Sequence, residues 1–151
     1  MSLQLAIQVL HAIAGMLWVG GIFFSHMVLR PAALPLDPAQ RVPLWGRVFA
    51  GFFPWVWGFV AVLLITGYAD VMMRFGGFVS LHLKAMHGIG MLMFLLYAWL
   101  YFFPYRKMRK ALANSDIPTA AAAMNRIRPV MVINLILGLI VTAIGVMGPV
   151  F

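Results

Sequence analysis

The chain contains no cysteine and no glutamate, and its only carboxylate side chains are Asp37, Asp70 and Asp116. Without cysteine there can be no disulfide, thiolate metal site, iron–sulfur cluster or cysteine nucleophile. Without glutamate, paired-carboxylate hydrolysis has little to work with, and neither a Walker loop nor a serine- or metalloprotease signature occurs. Charge is scarce altogether: 9% of the 151 residues are charged and 64% are hydrophobic, where a soluble domain carries about 25% and 45–50%. With a mean hydropathy of +1.00, this is the composition of a membrane protein. Apolar stretches of about 20 residues or more use up nearly the whole chain and leave no room for a soluble catalytic domain.

The pattern predicts an all-α fold, an integral membrane four-helix bundle forming a single transmembrane domain over 1–151. Its helices are expected at about 3–29, 48–72, 78–103 and 129–148. The first stretch is too long, and too poor in leading basic residues, for a cleavable signal peptide. Pro31, Pro35, Pro38 and Pro43 predict a loop over about 30–47. A polar, partly helical connection is expected over about 104–128, where Arg106, Lys107, Arg109 and Lys110 precede an alanine-rich run. These two loops gather all the basic residues except Arg74 and Lys84. By the positive-inside rule they are cytoplasmic, and both termini lie on the periplasmic or outer side. The net charge of +8 is then explained by topology and contact with the lipid bilayer, not by nucleic acid.

Two further patterns bear on packing. Trp45, Phe49, Phe52, Phe53, Trp55 and Trp57, with Tyr97, Trp99, Tyr101, Phe102, Phe103 and Tyr105, form an expected aromatic girdle at the cytoplasmic headgroup level. In the last span Asn134, Gly138, Thr142 and Gly145 make a small, polar stripe suited to close helix packing.

Intramembrane ionisable residues are the natural functional candidates, because each is costly unless paired or solvated. They are His11, His26, His82, Lys84, His87 and Asp70. His26 lies near the cytoplasmic end of span one and reads as an interfacial or packing residue. His11 on span one and His82 or His87 on span three fall in the outer half, an arrangement by which a four-helix bundle can hold haem. Ala14 and Gly15 keep the surface low beside His11, and Trp18 could form a wall one turn further in. His82 shares a helix face with Met86, Ile89 and Met93, whereas His87 lies on another face and matches His11 better in depth. Lys84 and Arg74 are the cations available near the outer face for haem propionates, and Lys84 could also pair with Asp70. The 12 methionines raise copper as the alternative, since thioether and imidazole suit Cu(I). They are scattered, however, and gap filling accounts for most of them.

His11, Trp18-Val-Gly-Gly21, Arg30-Pro31, Phe52-Phe53-Pro54-Trp55-Val56-Trp57 and Thr66-Gly67 together resemble the copper resistance protein D (CopD) family of small bacterial membrane proteins. His11, Trp18 and Leu81-His82-Leu83-Lys84 are also similar to the HemJ-type protoporphyrinogen oxidases, four-helix proteins that bind haem b. That resemblance implies one haem b per chain, with His11 and His82 as the matched histidines and Lys84 as a polar partner. The stretch Asn125-Arg126-Ile127-Arg128-Pro129 lacks the glutamate of the HemJ-type Asn-Glu-x-Pro motif, so protoporphyrinogen oxidation itself does not carry over. Three expectations result. The first is a haem-bearing redox protein of the bacterial inner membrane, with a quinol, porphyrin or periplasmic partner. The others are a copper-handling membrane protein using His and Met ligands, and a cofactor-free accessory subunit; self-association fits any of the three.

Overall fold

A computed structural model describes residues 2–148; Met1 and 149–151, the extreme ends of the expected domain, lie outside it. Every regular element among the described residues is a helix, and there is no strand. Four helices are long and apolar enough to cross a membrane: α1 (Leu3–Ala33), α2 (Pro38–Phe75), α3 (Leu81–Ala113) and α4 (Ile117–Met147). Ser2 caps α1 by accepting from the Leu5 amide at 3.3 Å. Gly76, at φ 67°, ends α2 in the left-handed conformation that glycine tolerates. Asp116 caps α4 by accepting from the Thr119 amide at 3.2 Å, and this bonding holds its carboxyl below the ordinary aspartate value.

The helices run further than the expected spans. Helix α2 begins at Pro38 instead of near 48, α3 continues to Ala113 instead of stopping near 103, and α4 begins at Ile117 instead of near 129. The loops expected over 30–47 and 104–128 shrink to short turns near 34–37 and 114–116. Proline position, not proline density, decides this. Pro38 and Pro118 occupy the first turns of α2 and α4, where the missing N–H would have had no helical partner. Pro104 sits within the π-helical stretch Tyr101–Tyr105 of α3, a wider turn that absorbs its missing donor. At 38 residues, α2 is about 57 Å long, well beyond a hydrocarbon core of about 30 Å. The basic residues Arg41 and Arg47 sit toward its first-turn end.

Helix α1 packs along α2 and α4, and α3 packs along α4. Helices α2 and α3 meet mainly through large rings. Trp45, Phe49 and Phe53, one turn apart on α2, form a column in which Phe49 and Phe53 stack at 4.9 Å between centroids. From α3, Tyr105 meets Phe53 edge-on at 4.7 Å, Tyr97 meets Trp57 at 5.0 Å, and the Tyr97 hydroxyl donates to the Phe53 carbonyl at 2.8 Å. The expected aromatic girdle is therefore divided. Trp45, Phe49, Phe53, Tyr97 and Tyr105 are core residues, and Trp55, Trp99, Phe102 and Phe103 stay exposed. The spacing of four residues along Trp45, Phe49, Phe53 and Trp57 places these rings on one helix face, a pattern that the girdle reading did not use.

The small stripe of α4 packs as expected. Gly138 lies where Val19 of α1 and Met93 of α3 converge, and a methyl group there would come within 2.5 Å of the Val19 side chain. Beside it Asn134, 2% exposed, donates to the Met93 carbonyl at 3.3 Å. Gly20, by contrast, faces open space. Replacing Gly138 by alanine is expected to lower stability in detergent by about 1–3 kcal/mol, while Gly20→Ala changes it little. Thermal unfolding of the two variants checks the pairing, and equal midpoints would contradict it.

Candidate functional site

Buried side chains concentrate in the half of the bundle that holds the aromatic column, and the other half has few: Ala14, Thr66, Val71 and Leu83. That sparsely packed half contains His11, His82 and His87, so the three histidines lie in the same half of the bundle, as the spacing predicts. The three imidazoles, however, occupy three different settings.

His11 lies in the seam between α1 and α2. Its Nδ1 is 2.8 Å from the Thr66 hydroxyl, and the Thr66 hydroxyl donates to the Val62 carbonyl one turn earlier. A hydroxyl has one proton to give. With that proton on Val62, Thr66 must accept from His11, which fixes the imidazole with its hydrogen on Nδ1 and leaves Nε2 as a lone-pair donor. This is the second-sphere support by which proteins orient ligating histidines. Gly67 lets the ring lie close to α2, since a methyl group there would come 3.1 Å from His11 Cε1. One turn outward on the same seam, Gln8 donates to Asp70 at 3.2 Å and Arg74 pairs with Asp70 at 3.3 Å.

His82 lies where the first turn of α3 meets the last described residues after α4. Its ring covers Gly148, where a methyl group would meet it at 2.6 Å, and it stands edge-on to Phe75 at 6.3 Å. One turn along α3, Met86 covers Gly145 in the same way, with its sulfur 3.6 Å from where a methyl group would lie. His82 Nδ1 and Ser80 Oγ are both buried, with no hydrogen-bond partner among the described residues. A buried polar nitrogen left unpaired is costly, and here it adjoins a thioether on the same helix face. His87 faces elsewhere, in an aromatic corner with Phe78 at 4.8 Å and Tyr68 at 5.5 Å.

Several expectations need correction. Asp70 is engaged by Arg74 and Gln8, and Lys84 is exposed without a hydrogen bond, because the i, i+4 spacing of Asp70 and Arg74 on one helix is shorter than any reach from α3. Beside Gly15, the Leu63 side chain of α2 lies 3.8 Å from where a methyl group would stand, an ordinary packing distance. Trp18, 4% exposed, is a wall of the core, meeting Tyr97 edge-on at 6.1 Å. His11 and His82 serve different seams, and no group of three or more histidine or carboxylate side chains gathers among the described residues. The sequence reading passed over Gln8 and gave Thr66 no role of its own. The signal was there in Gln8 and His11 at i, i+3 and in Thr66, Asp70 and Arg74 at successive i, i+4 steps.

Four helices long and apolar enough to cross a membrane, packed tightly in one half and carrying imidazole, thioether and polar groups in the other, are the architecture of a small multi-pass membrane protein. Over residues 46–147 the chain matches the family described as Copper resistance protein D, and it belongs to that family. The match takes in Thr66, Asp70, His82, Met86 and His87 and begins after His11. No curated protein and no solved structure matches the chain.

The hydrogen bond from His11 to Thr66 is separately testable. Thr66→Val keeps the shape and removes the acceptor, and is expected to cost about 1–3 kcal/mol of stability by leaving the imidazole N–H unpaired. Thr66→Ser is expected to restore most of it. Nitrogen NMR of His11 should show the Nδ1-protonated tautomer in the parent protein, and a predominantly Nε2-protonated ring would refute the assignment.

Proposed function

We infer that the protein handles copper within the membrane, and that Cu(I) is taken at the outer end of the α3–α4 seam by His82 and Met86. The observation that carries this reading is the buried, unpartnered Nδ1 of His82 one helical turn from the Met86 thioether, both pressed onto glycines of α4. Imidazole and thioether are the donors that select Cu(I) over harder ions. Family membership supports the same metal. The reading includes the orientation set by the basic residues, with the termini and the His82 end outside in a bacterial plasma membrane. Copper is here the cargo, met from the outer side and held by soft donors.

A second reading has one specific observation behind it. The tautomer fixed by Thr66 leaves His11 Nε2 free to bind iron, so a haem b with His11 as an axial ligand is the competing proposal. It needs a second ligand beside His11, and neither His82, in the α3–α4 seam, nor His87, in its corner with Tyr68 and Phe78, faces it.

Titration of the detergent-purified protein with Cu(I), under reducing conditions against a coloured Cu(I) chelator, separates the two. One Cu(I) per chain is expected, with the affinity lowered roughly tenfold or more in His82→Ala and in Met86→Leu, each retaining the parent's unfolding midpoint. A haem Soret band in the isolated protein together with no Cu(I) retention would overturn the copper reading, as would unchanged Cu(I) affinity in both variants.

A further inference from the structure

The end of the bundle opposite His11, His82 and His87 holds two adjoining clefts, of about 460 and 660 Å³, which share Phe102, Arg106 and Lys110. Both lie along α3 where it passes through its π-helical turn and Pro104. The larger is closed on one side by α4, where Ala122 and Ala123 keep the wall low and Arg126 stands at the rim. Lys107 completes its cationic lining, and Phe103 its apolar floor.

The charge balance of this region does not close within the chain. Arg106, Lys107, Lys110 and Arg126 are all exposed. Of the three carboxylates in the sequence, Asp70 is bound to Arg74 at the far end, Asp116 is bound to the Thr119 amide, and Asp37, exposed in the turn between α1 and α2, makes no ion pair among the described residues. The only ion pair among the described residues is Asp70–Arg74. Four cations converging on one cleft repel one another unless an anion joins them. Guanidinium and ammonium groups together favour phosphate oxygens, Arg by its fork and Lys as a point charge.

The apolar half of the lining says where that phosphate comes from. Phe102 is 54% and Phe103 64% exposed, and with Trp99 they flank the cations directly on the membrane-spanning side of α3. Exposed aromatic rings next to a cationic cluster match the layering of a lipid, with its chains against the rings and its headgroup phosphate against the charges. A free phosphate ion would use the cations and leave the rings exposed to no purpose.

We propose that this two-lobed cleft is a binding site for an anionic phospholipid, its headgroup phosphate held by Arg106, Lys107 and Lys110 of α3 and by Arg126 of α4, its acyl chains lying over Phe102 and Phe103. The lipid bridges the end of α3 to α4 where the backbone of α3 is widened by its π-helical turn. The proposal stands independently of which metal or cofactor the other end takes.

Native mass spectrometry of the full chain, released from detergent containing phosphatidylglycerol and phosphatidylcholine of matched acyl chains, tests it. Preferential retention of phosphatidylglycerol is expected, falling by roughly fivefold for each cation removed in Arg106→Gln and Lys110→Gln. Lys84→Gln, at the other end, should leave retention unchanged. Arg126→Gln on α4 gives an independent variant should either change on α3 disturb folding. Equal retention of the two lipids, or a preference untouched by all three cleft variants, would overturn the proposal. So would release of the retained lipid by millimolar inorganic phosphate alone, which would mark a small-anion site.

Discussion

The column of rings between α2 and α3 is the contact on which the rest of the bundle depends. Lipid tails give helices no hydrophobic reason to associate, so spans are held by close backbone approach, interhelical hydrogen bonds or well-fitted van der Waals contact. Helix α1 reaches its neighbours through Gly15, Gly21 and the Val19–Gly138 contact, and α3 reaches α4 through Gly138, Gly145 and Gly148. Helices α2 and α3 use instead Phe53, Trp57, Tyr97 and Tyr105, tied by the Tyr97 hydroxyl to the Phe53 carbonyl. Edge-to-face ring pairs of this kind each contribute about 0.5–1.5 kcal/mol beyond the area they cover. Several of them on one face fix the spacing of the two helices.

The column occupies one half of the bundle, and this asymmetry makes the other half usable. Where the rings end, the helices are joined by polar ties such as Gln8–Asp70–Arg74 and His11–Thr66, and by side chains laid over glycines. Such a region can present nitrogen and sulfur donors without a dense apolar core closing over them. The long ends of α2, α3 and α4 on the side of the aromatic column carry most of the positive charge. The molecule is thus divided along its axis into a donor-bearing end, an aromatic middle and a cationic end suited to anionic lipid.

Much of the fold was legible from residue order. The four spans followed from apolar length, and the packing role of Asn134, Gly138 and Gly145 followed from their helical spacing. The shared face of His82, Met86 and Met93 was also readable, and the structure sets all three against α4. What could not be read was which helix each face meets. The position of His11 against α2, not α3, depends on the way α1 nests between α2 and α4, and no periodicity within one helix encodes a neighbour. Helix ends were misjudged for local reasons: Pro31, Pro38 and Pro43 were weighed as breakers, although the helices accommodate all three, Pro38 in a first turn, and the basic cluster after Phe103 was weighed as a loop, although it continues α3. The aromatic girdle was overdrawn because Trp and Tyr suit both headgroups and cores, and only tertiary contact separates Trp45 from Trp55.

The central claim is that a soft-metal site lies in the α3–α4 seam at the donor-bearing end. X-ray absorption at the copper edge of the Cu(I)-loaded protein reads it most directly. The account predicts imidazole nitrogen and thioether sulfur in a single coordination shell, with the sulfur contribution lost in Met86→Leu and the imidazole contribution lost in His82→Ala. A shell of oxygen and nitrogen alone, identical in the parent and in both variants, would contradict it.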